Sequence, residues 1–290
     1  MLNRTQTLPC YAKINLFLEV QDKRSDGYHN LGTLFQTLDC HDELKAETSD
    51  QLELICPPGI TSSPDQNLVI KAAKLLQSEF SSRLKVGQGL KGLKFTLTKN
   101  LPSSAGLGGG SSNAATALIL CNNLWELGLT LPELVPFAAK LGADVPFFLY
   151  GGTYFAEGIG EVLKPAPEPY PFHVVIGTPE CGVDTAWAYK QLTEVRKKEW
   201  ARFKALYFTY CEDPKFYQVM RNDFDESMRE KNPLIESLYQ QMQKFNPTKT
   251  LLCGSGASLF SLFVEKADAD RCLNAIQGDC RFATVARFVA

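Results

Sequence analysis

Pro102-Ser-Ser-Ala-Gly-Leu-Gly-Gly-Gly-Ser-Ser-Asn-Ala-Ala-Thr116 carries a cluster of glycines straight into a helical pattern. Gly106, Gly108, Gly109 and Gly110 lack a Cβ, so a ligand can approach the main chain closely there. From Ser111 onward Ala114, Ala115, Leu118, Cys121 and Leu124 recur at three- and four-residue spacing and predict a helix to Trp125. The free N–H groups of its first turn and the positive end of its dipole point back at the glycines, an arrangement suited to a phosphate. Ser111 and Ser112 add hydroxyls at that mouth. No Gly-Lys-Ser/Thr ending follows, so this is not a Walker A loop. Pro102-Ser-Ser-Ala stands where a dinucleotide-binding fingerprint needs a strand. A turn that only caps the helix is the competing reading, although four glycines in five residues exceed what a cap requires.

Upstream, Gly92 to Thr98 alternates as a strand and Lys99-Asn-Leu leads into the glycines. Near the N-terminus, Ile14, Leu16 and Leu18 alternate with Lys13, Asn15 and Phe17, so residues 10–20 read as a strand with Lys13 and Asn15 on one face. Those two are either an edge-strand charge and its neighbour or a phosphate-facing cation with an amide partner. Tyr28 and His29 close a polar loop at residues 22–30; the pair can stack on a heterocycle or simply cover the core. Asp144, between Gly142 and Pro146, either bonds its own turn or serves as a general base.

The chain of 290 residues is long enough for one large or two moderate domains, and two are expected. Hydrophobic content of 44%, charged content of 21% and a net charge of -2 argue against nucleic acid or an anionic membrane as principal partner. Nine cysteines fall without Cys-x-x-Cys pairs and there are only three histidines, so no zinc spacing can be built. The cysteines read as mostly buried thiols of a reducing, cytoplasmic protein. The first residues have no apolar signal-peptide core.

A further strand is expected at 31–38 and more strand and loop at 43–63, followed by helices at 67–80 and 131–140. After a turn at 141–148, a strand-like run at 149–155 leads to another turn at 156–161. The proline segment 165–171 is read as a boundary between domains 1–164 and 165–290. Beyond it come a strand at 172–178, a helix from 185 to 192 and a charged, aromatic, largely helical segment at 196–217. A helix at 233–245, a hairpin of 248–253 and 258–264, a helix at 267–276 and a strand at 283–289 complete the chain. The alternation gives an α+β class.

In order and spacing, Ala12-Lys-Ile-Asn15, Pro102 to Ser112 and Gly254-Ser-Gly-Ala257 resemble the superfamily of galactokinase, homoserine kinase, mevalonate kinase and phosphomevalonate kinase. Asp26-Gly-Tyr-His29, Gly142-Ala-Asp-Val-Pro146 and Asn222-Asp-Phe224 place the resemblance in the branch whose acceptor is a cytidine diphosphate methylerythritol. The resemblance implies a two-domain fold, ribosomal protein S5 domain 2-like at the N-terminus and ferredoxin-like at the C-terminus, with the site in the cleft between. It implies ATP with Mg²⁺, and phosphorylation of the acceptor's C2 hydroxyl in non-mevalonate isoprenoid synthesis. Lys13 and Asp144 would be the catalytic cation and base. Lys99, Pro102, Ser104, Ala105, Gly106, Leu107, Gly108, Gly109, Gly110, Ser111 and Ser112 would bind ATP. Asn15, Tyr28 and His29 would bind the acceptor, with Tyr189 as the second aromatic against the base. No carboxylate cluster suggests a metal cage, so no metal ligand is named; a monomer and a homodimer both stay open. Cys253 and Ser255 depart from the serine or threonine and the threonine more usual in that C-terminal loop.

Overall fold

The computed structural model describes residues 4–60, 63–81, 92–192 and 198–290. The chain forms two compact units interleaved in sequence: residues 1–12, 41–103 and 108–150 make the first, and 13–40, 104–107 and 151–290 the second. The long strands β1 (Thr5–Lys23) and β2 (His29–Ser49), which pair with each other, each contribute to both units. The strands expected at 31–38 and from 43 onward are thus one strand; 39–42 holds neither glycine nor proline to break it.

In the first unit, Glu43–Ser49 of β2 pairs antiparallel with β4 (Gly92–Thr98), which pairs parallel with the short β3 (Glu53–Ile55). Residues 61 and 62 of the expected 43–63 segment lie outside the described residues. Among the described residues this unit has four α-helices: α1 (Leu68–Phe80), α2 (Gly109–Leu124), α3 (Leu131–Leu141) and α4 (Val145–Tyr150). Asn67 caps α1, its side chain accepting from the Val69 N–H at 3.0 Å. Glu133 in the first turn of α3 accepts from the Thr130 N–H at 2.9 Å. The core joins Leu44, Leu93, Phe95, Ile70, Leu76, Leu118, Cys121 and Leu134, the inward residues of strands and helices alike. The helix α4 replaces the turn and strand-like run expected across 145–150. Pro146 falls in its first turn, where a missing N–H costs nothing, and Gly151 and Gly152, at φ +69° and +72°, end it.

In the second unit, Thr33–Gln36 of β2 pairs with β5 (Thr153–Glu157), which pairs with β6 (Val162–Pro165). The expected turn at 156–161 is therefore shorter, since Ala156 and Glu157 stay in β5. A separate antiparallel sheet runs β10-β7-β9-β8, from β7 (His173–Pro179), β8 (Lys249–Leu252), β9 (Leu259–Phe263) and β10 (Cys280–Arg287). Helices α8 (Pro233–Gln243) and α9 (Lys266–Ile276) pack on it through Ile235, Leu238, Met242, Ala269, Cys272 and Ile276. The helices α5 (Thr185–Lys190), α6 (Trp200–Tyr210) and α7 (Asp225–Lys231) also belong to the unit. The structure adds α7 to the sequence reading; at seven residues it is too short to show a helical period. Acidic residues in its first turn and basic ones in its last match its dipole. Of the segment 196–217, residues 196 and 197 lie outside the described residues. The rest is α6 and a tight 3-10 turn at Pro214–Val219. The ring of α6's Trp200 lies against the position a Gly32 side chain would take, 2.4 Å from that Cβ.

Candidate active site

In the first unit α2 begins at Gly109, two residues before the expected start, with Gly108 as its N-cap at φ +72° and ψ 12°. Such an angle is open to glycine at little cost. The Gly108 carbonyl accepts from the Ser112 N–H at 2.9 Å, so the helix closes at once and its first-turn N–H groups face outward. Gly109 is glycine for room: a Cβ there would lie 3.3 Å from Lys99 Nζ and 3.5 Å from Asp42 Oδ2. Ser111 is half-buried, Ser112 buried and Gly110 exposed.

Asp42, fully buried on β2, gathers this corner. Its Oδ1 accepts from the backbone N–H groups of Asn100 and Leu101, both at 2.8 Å. Its Oδ2 accepts from Asn113 Nδ2 at 3.0 Å and from Lys99 Nζ. Close by, Cys10 bonds Thr116 and Asn113, and burial pushes its thiol up to about 11. Half-buried Pro102 follows this corner in the chain, and half-buried Asp144 stands in the turn directly before α4.

The other half of the glycine loop, residues 104–107, belongs to the second unit. Ser104 is exposed at φ 51°. The Ala105 carbonyl accepts from the Ser258 N–H at 3.2 Å, and that of Leu107 from the Lys13 N–H at 3.0 Å. Gly106, at φ +79°, backs so closely on the C-terminal loop that a Cβ would fall 1.8 Å from the Cys253 carbonyl oxygen. Lys13 is 4% exposed; its Nζ donates to Asn15 Oδ1 at 2.8 Å and lies 5.2 Å from the centre of the Phe35 ring. Asn15 Nδ2 donates to Thr33 Oγ1 at 2.8 Å, and that hydroxyl to the Phe17 carbonyl at 2.7 Å, which fixes the amide's orientation. A Cβ on Gly254 would sit 3.6 Å from Lys13 Nζ and 3.7 Å from Asn15 Oδ1. Asn222 holds that loop, its Nδ2 donating to the carbonyls of Leu252 at 2.8 Å and Gly254 at 2.7 Å.

The aromatic candidates regroup. The ring of His29 stacks on Tyr189, centroids 5.1 Å apart at 12°, and Tyr189 meets Phe224 edge-on at 5.0 Å. Tyr28, adjacent in sequence, is 62% exposed. Its loop is drawn tight by Asp26, which accepts from the Tyr28 N–H at 3.1 Å and from the Arg24 guanidinium, which holds the carboxyl below its usual range. A cleft of about 510 Å³ opens beside His29, lined among others by Lys23, Gln191, Lys198, Asp223 and Glu226.

The sequence reading does not name Asp42 or Thr33, and it holds Asn113 and Asn222 only as parts of motifs. The available signal was weak: an aspartate in the polar run Asp39-Cys-His-Asp-Glu43, and an asparagine one turn into a helix. Among the described residues no group of three or more histidine, cysteine or acidic side chains is placed to hold a metal ion, and no helix is long and apolar enough to cross a membrane. None of the nine cysteines forms a disulfide, and five of them are buried.

The family model described as the GHMP kinases N terminal domain matches residues 67–152, the stretch from the cap of α1 to the end of α4. A 4-diphosphocytidyl-2-C-methyl-D-erythritol kinase of Haemophilus ducreyi is 37% identical over 286 residues, covering 98% of this chain and 93% of its own. One of Geobacillus sp. (strain WCH70) is 36% identical over 278 residues, covering 93% and 92%. The chain belongs to the 4-diphosphocytidyl-2-C-methyl-D-erythritol kinase family. A crystal structure of 4-(cytidine 5'-diphospho)-2C-methyl-D-erythritol kinase agrees, with a TM-score of 0.80 at 30% identity over 98% of this chain and all of that one. The fold extends further: a homoserine kinase from Cytophaga hutchinsonii aligns at TM-score 0.75 and 16% identity, covering 99% of this chain and 95% of its own. The two sheets and mixed helices described above are thus the GHMP kinase fold.

Proposed function

We propose that this chain transfers the γ-phosphoryl group of ATP to the C2 hydroxyl of 4-diphosphocytidyl-2-C-methyl-D-erythritol, giving the 2-phosphate and ADP in non-mevalonate isoprenoid biosynthesis. The observation that carries the reading is likeness over more than nine-tenths of the chain to kinases named for that acceptor. Asp144 accepts the hydroxyl proton. Lys13, oriented by Asn15, steadies that hydroxyl and offsets charge on the phosphoryl group in transfer. The ATP phosphates lie along residues 102–112, with Lys99 nearby. Support comes from the outward first-turn N–H groups of α2 and from the glycines where side chains have no room. His29 and Tyr189, already stacked with their rings near parallel, receive the cytosine together with Tyr28.

Mg²⁺ would be carried largely by the phosphate oxygens and its own waters, with the Ser111 and Ser112 hydroxyls at the helix mouth; bound there, it offsets phosphate charge. The finer fold assignment belongs to the same proposal: residues 1–164 are S5 domain 2-like and 165–290 ferredoxin-like. The order β10-β7-β9-β8, with helices between β7 and β8 and between β9 and β10, supports the second label. Nine cysteines with no disulfide among them support a reducing, cytoplasmic setting.

The test is ADP release from Mg²⁺-ATP with the cytidine diphosphate methylerythritol, homoserine, mevalonate and galactose offered in turn. Turnover with the first alone is expected. Turnover with another acceptor instead would overturn the substrate and leave the fold standing.

A further inference from the structure

A carboxylate with no access to water has to be satisfied inside the protein, and Asp42 is satisfied completely. Two donors reach each oxygen, which fills the roughly four lone-pair directions a carboxylate offers. The four donors come from two places that matter to the same loop. Lys99, Asn100 and Leu101 are the residues by which the chain leaves β4 for the glycine stretch, and Asn113 stands on the second turn of α2. Asp42 lies one residue before the β2–β4 ladder begins at Glu43, so it catches the chain as β4 releases it.

The same carboxylate decides what Lys99 can do. The lysine side chain is 9% exposed and ion-paired to Asp42, and its Nζ lies against the position where a Gly109 side chain would start. Its charge is therefore shared with a buried counter-ion. A lysine held this way fixes position and contributes little net charge to a neighbouring anion.

We infer that Asp42 is a positioning residue for the nucleotide: it clamps Lys99 and residues 100–101 to α2, so that the glycine loop meets the helix start in the one geometry that accepts phosphate. The inference rests on the proposal that this loop binds ATP. Asp42→Asn keeps the side chain's shape while removing its charge and two of its acceptor directions. The KM for ATP should then rise about tenfold, with kcat and the acceptor KM changed less than about threefold. The double variant Asp42→Asn/Lys99→Met should be no worse than Asp42→Asn alone, because the lysine acts through the carboxylate.

The rival expectation is opposite in sign. Were Lys99 a direct phosphate counter-charge, freeing it from Asp42 would tighten ATP, and a lowered ATP KM overturns the inference. Equal effects on both substrates, reflecting general loosening, overturn it too. Gly108→Val separates this from failure of the ATP reading. If it leaves the ATP KM unchanged, the loop does not bind ATP; if it raises that KM while Asp42→Asn does not, only the role of Asp42 falls. Should Asp42→Asn fail to fold, Asn113→Ala removes one donor and keeps the ion pair. It should raise the ATP KM selectively by about threefold; no selective rise would overturn the inference.

Discussion

Lys13 and Lys99 are both withdrawn from solvent, and different groups orient them. Lys13, in the second unit, is placed by a neutral amide and the face of a ring, and the amide is aimed by Thr33. Lys99, in the first unit, is placed by a buried carboxylate. An amide and a ring face orient Lys13 beside Asn15, whereas the carboxylate that orients Lys99 also accepts from the backbone N–H groups of residues 100 and 101 and so ties that lysine to a loop. The pair teaches that burial alone does not sort lysines by role; the chemistry of what holds them does.

The deepest break in that contrast would come through the proposed partner of Lys13. If the Lys13 side serves the reaction and not binding, Asp144→Asn should cut kcat by about 10³-fold or more while ATP still binds with near-normal affinity by calorimetry. Near-normal turnover would remove Asp144 as the base.

A middle-sized effect distinguishes the rings. Tyr189 stacks on His29 and is braced by Phe224, while Tyr28 is largely exposed. Tyr189→Ala should raise the acceptor KM about tenfold with the ATP KM unmoved, and Tyr28→Ala should raise it less. Steady-state titration of the acceptor decides; equal values for both variants would show that the His29 stack is not the organising contact.

The smallest effect concerns a third lysine. Lys204 and the Trp200 Nε1–H both donate to Glu157, which is held below the usual carboxylate range by them, Lys204 first. A depressed acid lends stability above its ordinary value of 4.5 and loses it as the pH falls through the lower folded value. Glu157→Gln should therefore melt slightly below the unaltered chain at pH 7, and the gap should close below pH 4.5. A gap independent of pH would mean that the contact matters for packing and not for charge. Both partners are partly exposed, so the effect should be well under that at the buried pair.

What the sequence made legible was mostly local. The glycine stretch and the apolar spacing after it announce a helix start, and alternation puts Lys13 and Asn15 on one face, where they do hydrogen-bond. Helices with strong caps, such as α1, α3 and α8, fall within a few residues of expectation. Short elements escaped: α4 and α7 span six and seven residues, less than two turns, so no period could build up. Asp42 escaped for another reason. Its donors stand 57 to 71 residues away, and nothing in a polar run at the middle of a strand says which acid will be buried. The stacking of His29 on Tyr189 is likewise a long-range event: adjacency in sequence pairs His29 only with Tyr28, and Tyr189 enters the sequence reading through the resemblance alone.

The measurement that tests the contrast most directly is steady-state kinetics with ATP varied, run side by side on Lys13→Met and Asp42→Asn. The account predicts that Lys13→Met loses kcat by about 10³-fold with the ATP KM changed less than about threefold, while Asp42→Asn shows the reverse pattern at about tenfold in KM. If Lys13→Met acts on the ATP KM and spares kcat, or both variants fail in the same parameter, the assignment of one lysine to chemistry and the other to positioning is wrong.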